Sequence, residues 1–444
     1  MRTKKTDAGP LTDPLGSGGG PRASTRLGLG GLLWLLACFA FSLWLAPQAG
    51  APLEPRTAAP DPSRAGQVLH DQGDTAAAQA RIRLDAVVAQ ALPLALPAAQ
   101  WRLELTDAQA GPAVPKPAGN ALPQDPLPRR YLITGPCAPL RLGVALLQRF
   151  SAGQAVSWAG TAARNPRPQV LWTEQGALEI RLGGRLSHVF RFPGREAALA
   201  DLARPLPRPA LVLVIDDLGQ SLEAAEALAA LPFPVTFAIW PRSPAAAQTA
   251  ALAGQRRLDS LLHLPMEALP RADGFRPRPG PDALRVDMRL PALRAVLEED
   301  LKALPTAVGL NNHMGSRFTG NAAACSRLCS LLPDRGLFVL DSLTQAGSAL
   351  EREARAAGLI SASRALFLDT RRDVAAISAA LDAAARTARE KGFAVAVGHP
   401  YPETLRALRC WQDTAGVAVV PLRRLIWHLA QQACLSPAGA GSGL

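Results

Sequence analysis

Aromatic residues are scarce in this chain of 444 residues, at 5 %, and it has only two tyrosines. A zinc-finger spacing, a recognition helix and the aromatic signature of RNA-binding domains are also absent from the sequence. These absences exclude nucleic acid as the expected partner, although the formal net charge is +12. We attribute the positive charge to arginines on a solvated surface.

Cysteine is also uncommon, and the six cysteines are Cys38, Cys137, Cys325, Cys329, Cys410 and Cys434. Their scattered positions exclude a disulfide framework. Cys325 and Cys329 stand four residues apart without a matching His or Cys pair, which argues against a zinc knot. A disulfide between Cys410 and Cys434 stays open in an oxidising compartment.

Charged residues make up only 19 % of the chain, whereas 48 % are hydrophobic, so wholesale disorder is excluded and a large core is expected. The length suffices for two domains, and Pro-rich and Gly-rich stretches mark the linkers between them. We predict a disordered basic lead over 1–26, a transmembrane anchor or signal peptide over 27–46, a Pro/Ala-rich linker over 47–73, a small α+β domain over 74–200, a main domain over 208–430 and a flexible tail over 431–444. A hairpin through Gly183 and Gly184 is expected in the small domain.

The stretch 27–46 carries no charge, and basic residues precede it. It is long enough to cross a bilayer as one helix, and the basic residues predict that the upstream end stays in the cytoplasm. Small residues after Ala46 leave a cleaved signal peptide open as the alternative. Both interpretations predict a periplasmic protein, either tethered to the inner membrane or released.

Short apolar segments alternate with Ala/Leu-rich helical segments beyond residue 208, which is typical of parallel βα units. The predicted strands are 211–215, 235–239, 260–264, 307–310, 337–340, 359–361, 393–397 and 417–420. Seven or eight such units predict an α/β barrel, in which the functional residues follow the carboxyl ends of the strands.

Two adjacent carboxylates, Asp216 and Asp217, end the first of these strands. Crowded carboxylates need a cation or a shared proton between them. Because neighbouring residues of a strand point in opposite directions, we expect one to bind a metal and the other to handle protons. A helix N-cap is the simpler alternative for either residue.

Three histidines also stand at or just after the ends of predicted strands: His263, His313 and His399. The other three are His70, His188 and His428, which fall in a linker, a hairpin and a helix, where a structural or surface role is expected. A carboxylate and two imidazoles from neighbouring strand ends suit a divalent metal, zinc above all, with an open position for water. His399 can act as a general acid near neutral pH. Asp341, which ends the fifth strand, is either an acid that orients a catalytic His or an N-cap.

Six motifs, in this order, resemble those of the divergent polysaccharide deacetylase family, which comprises exported bacterial proteins related to chitin and peptidoglycan deacetylases. The motifs are Leu213-Val-Ile-Asp-Asp-Leu-Gly, His263-Leu-Pro-Met-Glu, Gly309-Leu-Asn-Asn-His-Met-Gly-Ser, Leu340-Asp-Ser-Leu-Thr, Phe367-Leu-Asp and Gly398-His-Pro-Tyr-Pro-Glu. The resemblance covers 208–430 and implies a distorted (β/α)7-type barrel. It does not extend over residues 1–200.

The resemblance also implies roles for individual residues. Asp216 would be the catalytic base, Asp217 and His263 metal ligands, and His399 the catalytic acid. The related enzymes carry a second metal-binding His four residues after the first, where this sequence has Glu267. We therefore take His313 as the third ligand, with Glu267 as the alternative.

Polar residues of the same loops, Asn312, Ser316 and Glu267, are expected to contact the substrate. The function implied is a metal-dependent hydrolase that removes N-acetyl or O-acetyl groups from an envelope polysaccharide or peptidoglycan-type glycan. Two alternatives stay open: a catalytically inactive glycan-binding or envelope-organising protein on the same barrel, and a hydrolase of another bond that uses the same metal and water chemistry.

Overall fold

The computed structural model describes residues 80–104, 128–151, 168–280, 282–411 and 416–435, which belong to one compact unit. The predicted lead, anchor or signal peptide and linker over 1–73 lie outside the described residues, as does most of the tail. Among the described helices, none is both long enough and apolar enough to cross a membrane. Cys410 and Cys434 are both among the described residues, and the disulfide considered above is not formed between them.

The first part of the unit is a five-stranded sheet with helices. Its elements are α1 (80–95), β1 (Gln100–Glu104), β2 (Arg129–Thr134), α2 (Pro139–Ser151), β3 (Gln169–Trp172), β4 (Leu178–Leu182), β5 (Arg185–Arg191) and α3 (Glu196–Leu199), which continues into a 3-10 turn at Ala200–Ala203. The strand order is β1-β2-β5-β4-β3. The predicted hairpin is confirmed, because Gly183 and Gly184 join β4 to β5 with positive φ angles of 58° and 81° that glycine adopts readily.

The second part alternates strands and helices from residue 210 onward. Its elements are β6 (Ala210–Leu218), α4 (Leu222–Ala229), β7 (Thr236–Ile239), α5 (Ala246–Gln255), β8 (Ser260–Met266), α6 (Leu290–Ala303), β9 (Gly309–Met314), α7 (Ser316–Thr319), α8 (Ala322–Cys329), β10 (Phe338–Asp341), α9 (Leu350–Ala356), β11 (Ser361–Ser363), β12 (Leu366–Phe367), α10 (Val374–Lys391), β13 (Phe393–Gly398), α11 (Pro402–Cys410), β14 (Ala418–Val419) and α12 (Leu422–Leu435).

All strands of this second sheet are parallel, in the order β11-β10-β9-β8-β7-β6-β13-β12, and β14 also pairs with β6. The two edge strands β11 and β12 are consecutive in the chain, separated only by Arg364 and Ala365. β11 pairs with β10 at one end of the sheet, and β12 pairs with β13 at the other end. Because one short stretch of chain forms both edges, the sheet curls into a partial barrel. The predicted α/β fold with a parallel sheet is confirmed.

The two faces of β6 lie in two different hydrophobic cores. Leu211, Leu213 and Ile215 pack with the surrounding helices. Val212 and Val214 belong to a core that also contains residues of α1, α2, α12 and the first sheet. In this second core Trp427 of α12 lies edge-on to Trp172 of β3, at 6.2 Å between ring centroids. The two parts predicted as separate domains therefore share one continuous core beneath the carboxyl ends of the barrel strands.

Candidate active site

Asp216 and Asp217 lie at a bulge, where the pairing of β6 with β7 shifts between Ile215 and Leu218. Asp217 has a left-handed backbone with φ of 59°, so the alternation of an ordinary strand is broken here. Asp216 Oδ1 lies 3.7 Å from Nδ1 of His263, and Asp217 Oδ1 lies 3.0 Å from its Nε2. The expectation of opposite directions was wrong: both carboxylates reach one imidazole, and they differ in which nitrogen they face.

Asp217, His263 and His313 bring three ligand atoms together. His313 Nδ1 is 2.9 Å from Asp217 Oδ1 and 3.1 Å from His263 Nε2. In a tetrahedral zinc site, ligand atoms about 2.0–2.1 Å from the metal are roughly 3.3 Å apart, close to the sides of this triangle. Within the described ranges these residues form a group able to hold a metal ion, and their N, N and O donors fit zinc.

The pKa shifts of the three residues in the triangle also fit a site for a metal ion. Burial raises the pKa of Asp217, but hydrogen bonds from His263 and His313 hold it well below its usual range. Burial lowers the pKa of His263, yet the nearby Asp216 and Asp217 raise it to about 9. Burial also lowers the pKa of His313, and its net shift is downward. The ligand groups thus share a proton that a bound cation would displace.

Asn311 links this set to Asp216. It is completely buried, and its Nδ2 donates to Asp216 Oδ1 at 2.7 Å and to Ser342 Oγ at 3.2 Å. Its Oδ1 lies 2.9 Å from His263 Nδ1. Sequence reasoning assigned Asn311 no role, although it stands two residues before His313 on β9 and so shares its face.

His399 is oriented by Asp369. Its Nδ1 lies 2.9 Å from Asp369 Oδ1, and its backbone N–H donates to Oδ2 at 2.6 Å. Thr404 donates to the same carboxylate at 2.8 Å. Burial works to lower the pKa of His399, but the hydrogen bond and charge of Asp369, with the charges of Asp216 and Asp217, raise it above its ordinary value.

Asp341 does not take the orienting position considered for it. Its carboxylate accepts hydrogen bonds from the backbone of Leu343 at 2.9 Å and Glu351 at 3.3 Å, and from Ser348 Oγ at 2.6 Å. It therefore supports the loop that follows β10. Asp369, which the sequence analysis placed in a motif without assigning it a role, is the carboxylate that contacts His399.

Aromatic rings surround the candidate acid. Phe367 and Tyr401 both stack on the imidazole of His399, at 5.9 Å and 5.4 Å between ring centroids. The guanidinium of Arg364 lies 3.8 Å over the Phe367 ring, and that of Arg372 lies 3.7 Å over the Tyr401 ring. These contacts fix the plane of His399 in addition to its bond with Asp369.

The predicted substrate-contacting residues hydrogen-bond within their own loop or to a neighbouring loop of the same end of the barrel. Asn312 accepts from the Ser342 backbone at 2.8 Å and donates to Met314 O, and Ser316 Oγ accepts from the Leu269 backbone at 2.9 Å. The Glu267 carboxylate accepts from the Val286 backbone at 2.9 Å and pairs with Arg317 at 3.0 Å. Of the two candidates for the third ligand, His313 lies in the triangle and Glu267 does not.

Comparison with known proteins places this site in a family. A profile of the divergent polysaccharide deacetylase family matches residues 213–426, which include every residue of the triangle as well as Asp216, Asp369 and His399. The uncharacterized protein YibQ of Escherichia coli is 32 % identical over 213 residues, which are 48 % of this chain and 65 % of that protein. An uncharacterized protein of Haemophilus influenzae is 33 % identical over 202 residues, which are 45 % of this chain and 69 % of that protein.

Among solved structures, the uncharacterized protein ATU2773 of Agrobacterium tumefaciens is 24 % identical, with a TM-score of 0.47, over 51 % of this chain and 94 % of that one. The chain belongs to the divergent polysaccharide deacetylase family. The match spans less than two thirds of the Escherichia coli relative. The five-stranded sheet of this chain lies outside the residues that the family profile matches.

Proposed function

We propose that the protein is a metal-dependent hydrolase that removes acetyl groups, N-linked or O-linked, from an envelope polysaccharide. The observation that carries this proposal is the triangle of ligand atoms on Asp217, His263 and His313, with side lengths of 2.9–3.1 Å. The buried carboxylate of Asp216 and the oriented imidazole of His399 supply the proton acceptor and donor that hydrolysis needs.

The proposed role of each residue follows from its contacts. A divalent metal ion, zinc by the donor set, would be held by the triangle and would polarise the acetyl carbonyl and acidify a water. Asp216 would take the proton of the attacking water. Burial raises the pKa of this carboxyl, although His263 and His399 oppose the shift, so it suits a proton acceptor near neutral pH.

His399 would protonate the leaving nitrogen when the carbon–nitrogen bond breaks. Asp369 engages its Nδ1, so Nε2 is the ring nitrogen left to carry the transferred proton. Water adds to the carbonyl carbon, and the products are acetate and the free amine of the sugar. For an O-acetyl group, the same proton would go to the leaving hydroxyl oxygen.

We also propose that the protein acts outside the cytoplasm, with 27–46 as anchor or signal peptide. The uncharged length of that stretch and the basic residues before it support this. Amino-terminal sequencing of the mature protein separates the two possibilities. An intact amino terminus supports the anchor, and a start shortly after Ala46 supports cleavage.

Acetate release from acetylated sugar oligomers by the zinc-loaded or cobalt-loaded protein tests the activity. The Asp216→Asn variant should lose about 10²–10⁴-fold in kcat because the proton acceptor is gone. Asp382→Asn is a matched control, since Asp382 bonds Trp411 rather than any residue of the site. Equal rates for Asp216→Asn and the parent protein would refute the mechanism. A protein that stays nearly metal-free after zinc loading would support the glycan-binding alternative instead.

A further inference from the structure

Two neighbouring asparagines of β9 differ sharply in what they contact. The polar atoms of Asn312 bond the backbone of Ser342 and Met314. Those of Asn311 bond Asp216, His263 and Ser342 Oγ. Asn311 is thus completely buried between His263, a candidate metal ligand, and Asp216, the candidate base. Asn311 itself is neither a metal ligand nor a proton-transfer group.

The orientation of the Asn311 amide follows from its partners. An ionised carboxylate can only accept hydrogen bonds, so the group 2.7 Å from Asp216 Oδ1 must be the NH₂. The second hydrogen of the same NH₂ points to Ser342 Oγ. The amide oxygen is then the atom that faces His263 Nδ1 at 2.9 Å, and a carbonyl oxygen can only accept.

This orientation determines where the hydrogen of His263 resides. A neutral imidazole carries one N–H and one lone pair. Because the Asn311 oxygen requires a donor, Nδ1 must carry the hydrogen. When a metal is bound and the ring is neutral, Nε2 is therefore the nitrogen that has a lone pair, and it is the one that faces the other two ligand atoms, Asp217 Oδ1 at 3.0 Å and His313 Nδ1 at 3.1 Å.

We infer that Asn311 is a positioning residue that acts on both the metal ligand His263 and the candidate base Asp216. Its oxygen holds His263 in the tautomer that can bind a metal through Nε2, and its NH₂ holds the Asp216 carboxylate in place beside that ring. Its effect on turnover rests on the proposed function, whereas its effect on the His263 ring does not. Outer-shell partners of metal-binding histidines typically change metal affinity by 10–100-fold when they are replaced.

Two substitutions separate the two contacts. Asn311→Leu removes both, so we expect zinc to bind about 10–100-fold more weakly. Asn311→Asp keeps an oxygen acceptor for His263 but sets a second carboxylate against Asp216. We therefore expect zinc affinity close to that of the parent and a kcat lower by about tenfold or more. Zinc affinity is measured by competition with a chromophoric chelator, and kcat and KM by acetate release.

Asn321→Leu is the matched control for lost stability. Asn321 caps α8 by accepting from the Ala324 backbone at 2.9 Å, and this bond lies outside the candidate site. We expect it to lower the free energy of unfolding by about 1 kcal/mol and to leave zinc affinity unchanged. If Asn311→Leu fails to fold, Asn311→Asp still tests the inference through its contrast between affinity and kcat.

The ring itself gives a second readout. In ¹⁵N spectra of the zinc-loaded parent, where His263 is neutral, we expect the hydrogen on Nδ1 and the metal on Nε2. Metal on Nδ1, or equal zinc affinities for Asn311→Leu and the parent, would overturn the inference. So would an equal loss of affinity in Asn311→Leu and Asn311→Asp. A parent that shows the expected ring state and affinities but releases no acetate refutes the proposed function alone.

Discussion

Three residues near the carboxyl ends of barrel strands have backbone angles that residues other than glycine seldom adopt. Asp217, Met314 and Leu343 have φ angles of 59°, 52° and 45°. Such conformations cost of order 1–3 kcal/mol each and persist where the surrounding structure enforces them, typically at functional sites. At Asp217 the unusual backbone accompanies a carboxylate that meets both His263 and His313.

The contact between His399 and Asp369 predicts a pH effect. Because Asp369 raises the pKa of His399, the protonated acid persists to higher pH than an isolated His. Asp369→Asn should lower that pKa, and the basic limb of the kcat/KM profile should move to lower pH. Measurement of kcat/KM against pH for both proteins tests this.

NMR titration of the histidine rings gives the same answer without turnover. His428, which lies on α12 and bonds Arg208, serves as an internal reference whose pKa should not change in Asp369→Asn. An unchanged pKa for His399 in the variant would contradict the role given to Asp369.

At the scale of residues, the sequence predicts the charged side chains of the candidate site but not the side chains that hydrogen-bond to them. Asn311 stands opposite His263 in the β8–β9 register, and a register cannot be read from one sequence. Asp369 follows β12, a strand of two residues, Leu366–Phe367. That is too short to show a periodic pattern, so the sequence does not predict the strand and points to Asp341 as the orienting acid instead.

Among the elements, helix α12 stabilises the core beneath the barrel. Its Trp427 is 3 % exposed and packs on Trp172. Trp427→Ala should reduce the free energy of unfolding by about 3–5 kcal/mol because it removes a large buried ring, and urea denaturation measures the loss. Trp101→Ala on β1, where the ring is 41 % exposed, is the matched control and should change stability far less.

The packing of β5 on α1 buries His188, and this predicts a stability change with pH. Burial lowers the pKa of His188 to about 4, although Asp85 opposes the shift. Between this value and the unfolded value of about 6.5, the unfolded chain binds more protons, so stability should rise with pH. The contribution is complete above the unfolded pKa and is lost as pH falls toward 4, by about 3 kcal/mol.

Urea unfolding of the parent and of His188→Gln at several pH values from 4 to 7 measures this contribution. Glutamine does not titrate, so the difference in unfolding free energy between the two proteins should itself change across the window. A difference that stays constant with pH would show that His188 is not held neutral by the fold.

Most strands of the second sheet could be predicted because they are buried apolar runs. The sixth prediction, 359–361, falls slightly before β11 at Ser361–Ser363. There the chain leaves one edge of the sheet at Arg364 and pairs with the other edge two residues later. Because this segment is divided between two neighbouring strands, too few residues pair with either strand to produce a clear hydrophobic pattern.

At the scale of the whole molecule, the predicted boundary near residue 200 does not separate two cores. Residues of β6, β8 and β13 share a core with α1, α2 and the first sheet. Buried contacts also cross the boundary, since Arg141 of α2 donates to the Arg335 backbone at 2.9 Å. A fragment of residues 204–444 would expose this core to water.

We therefore expect the fragment 204–444 to lack a cooperative urea transition, whereas a chain that begins at residue 74 should unfold in one step. Circular dichroism and tryptophan fluorescence measured through the same titration test this. A cooperative transition in the fragment, with stability like that of the longer chain, would show that the second part folds alone.

The pairing of β6 with β13 has a mechanical consequence. These strands pair at six successive positions, ending with Gly398 opposite Ile215. The residue that follows each of these two is a proposed proton-transfer group, His399 after β13 and Asp216 on β6. The proposed proton donor and acceptor thus lie side by side at the end of two strands that are hydrogen-bonded along six residues. The opening in the sheet lies between its two edge strands, β11 and β12, and not between β6 and β13. We expect the paired strands to keep the spacing of Asp216 and His399 when the sheet flexes at the opening between β11 and β12.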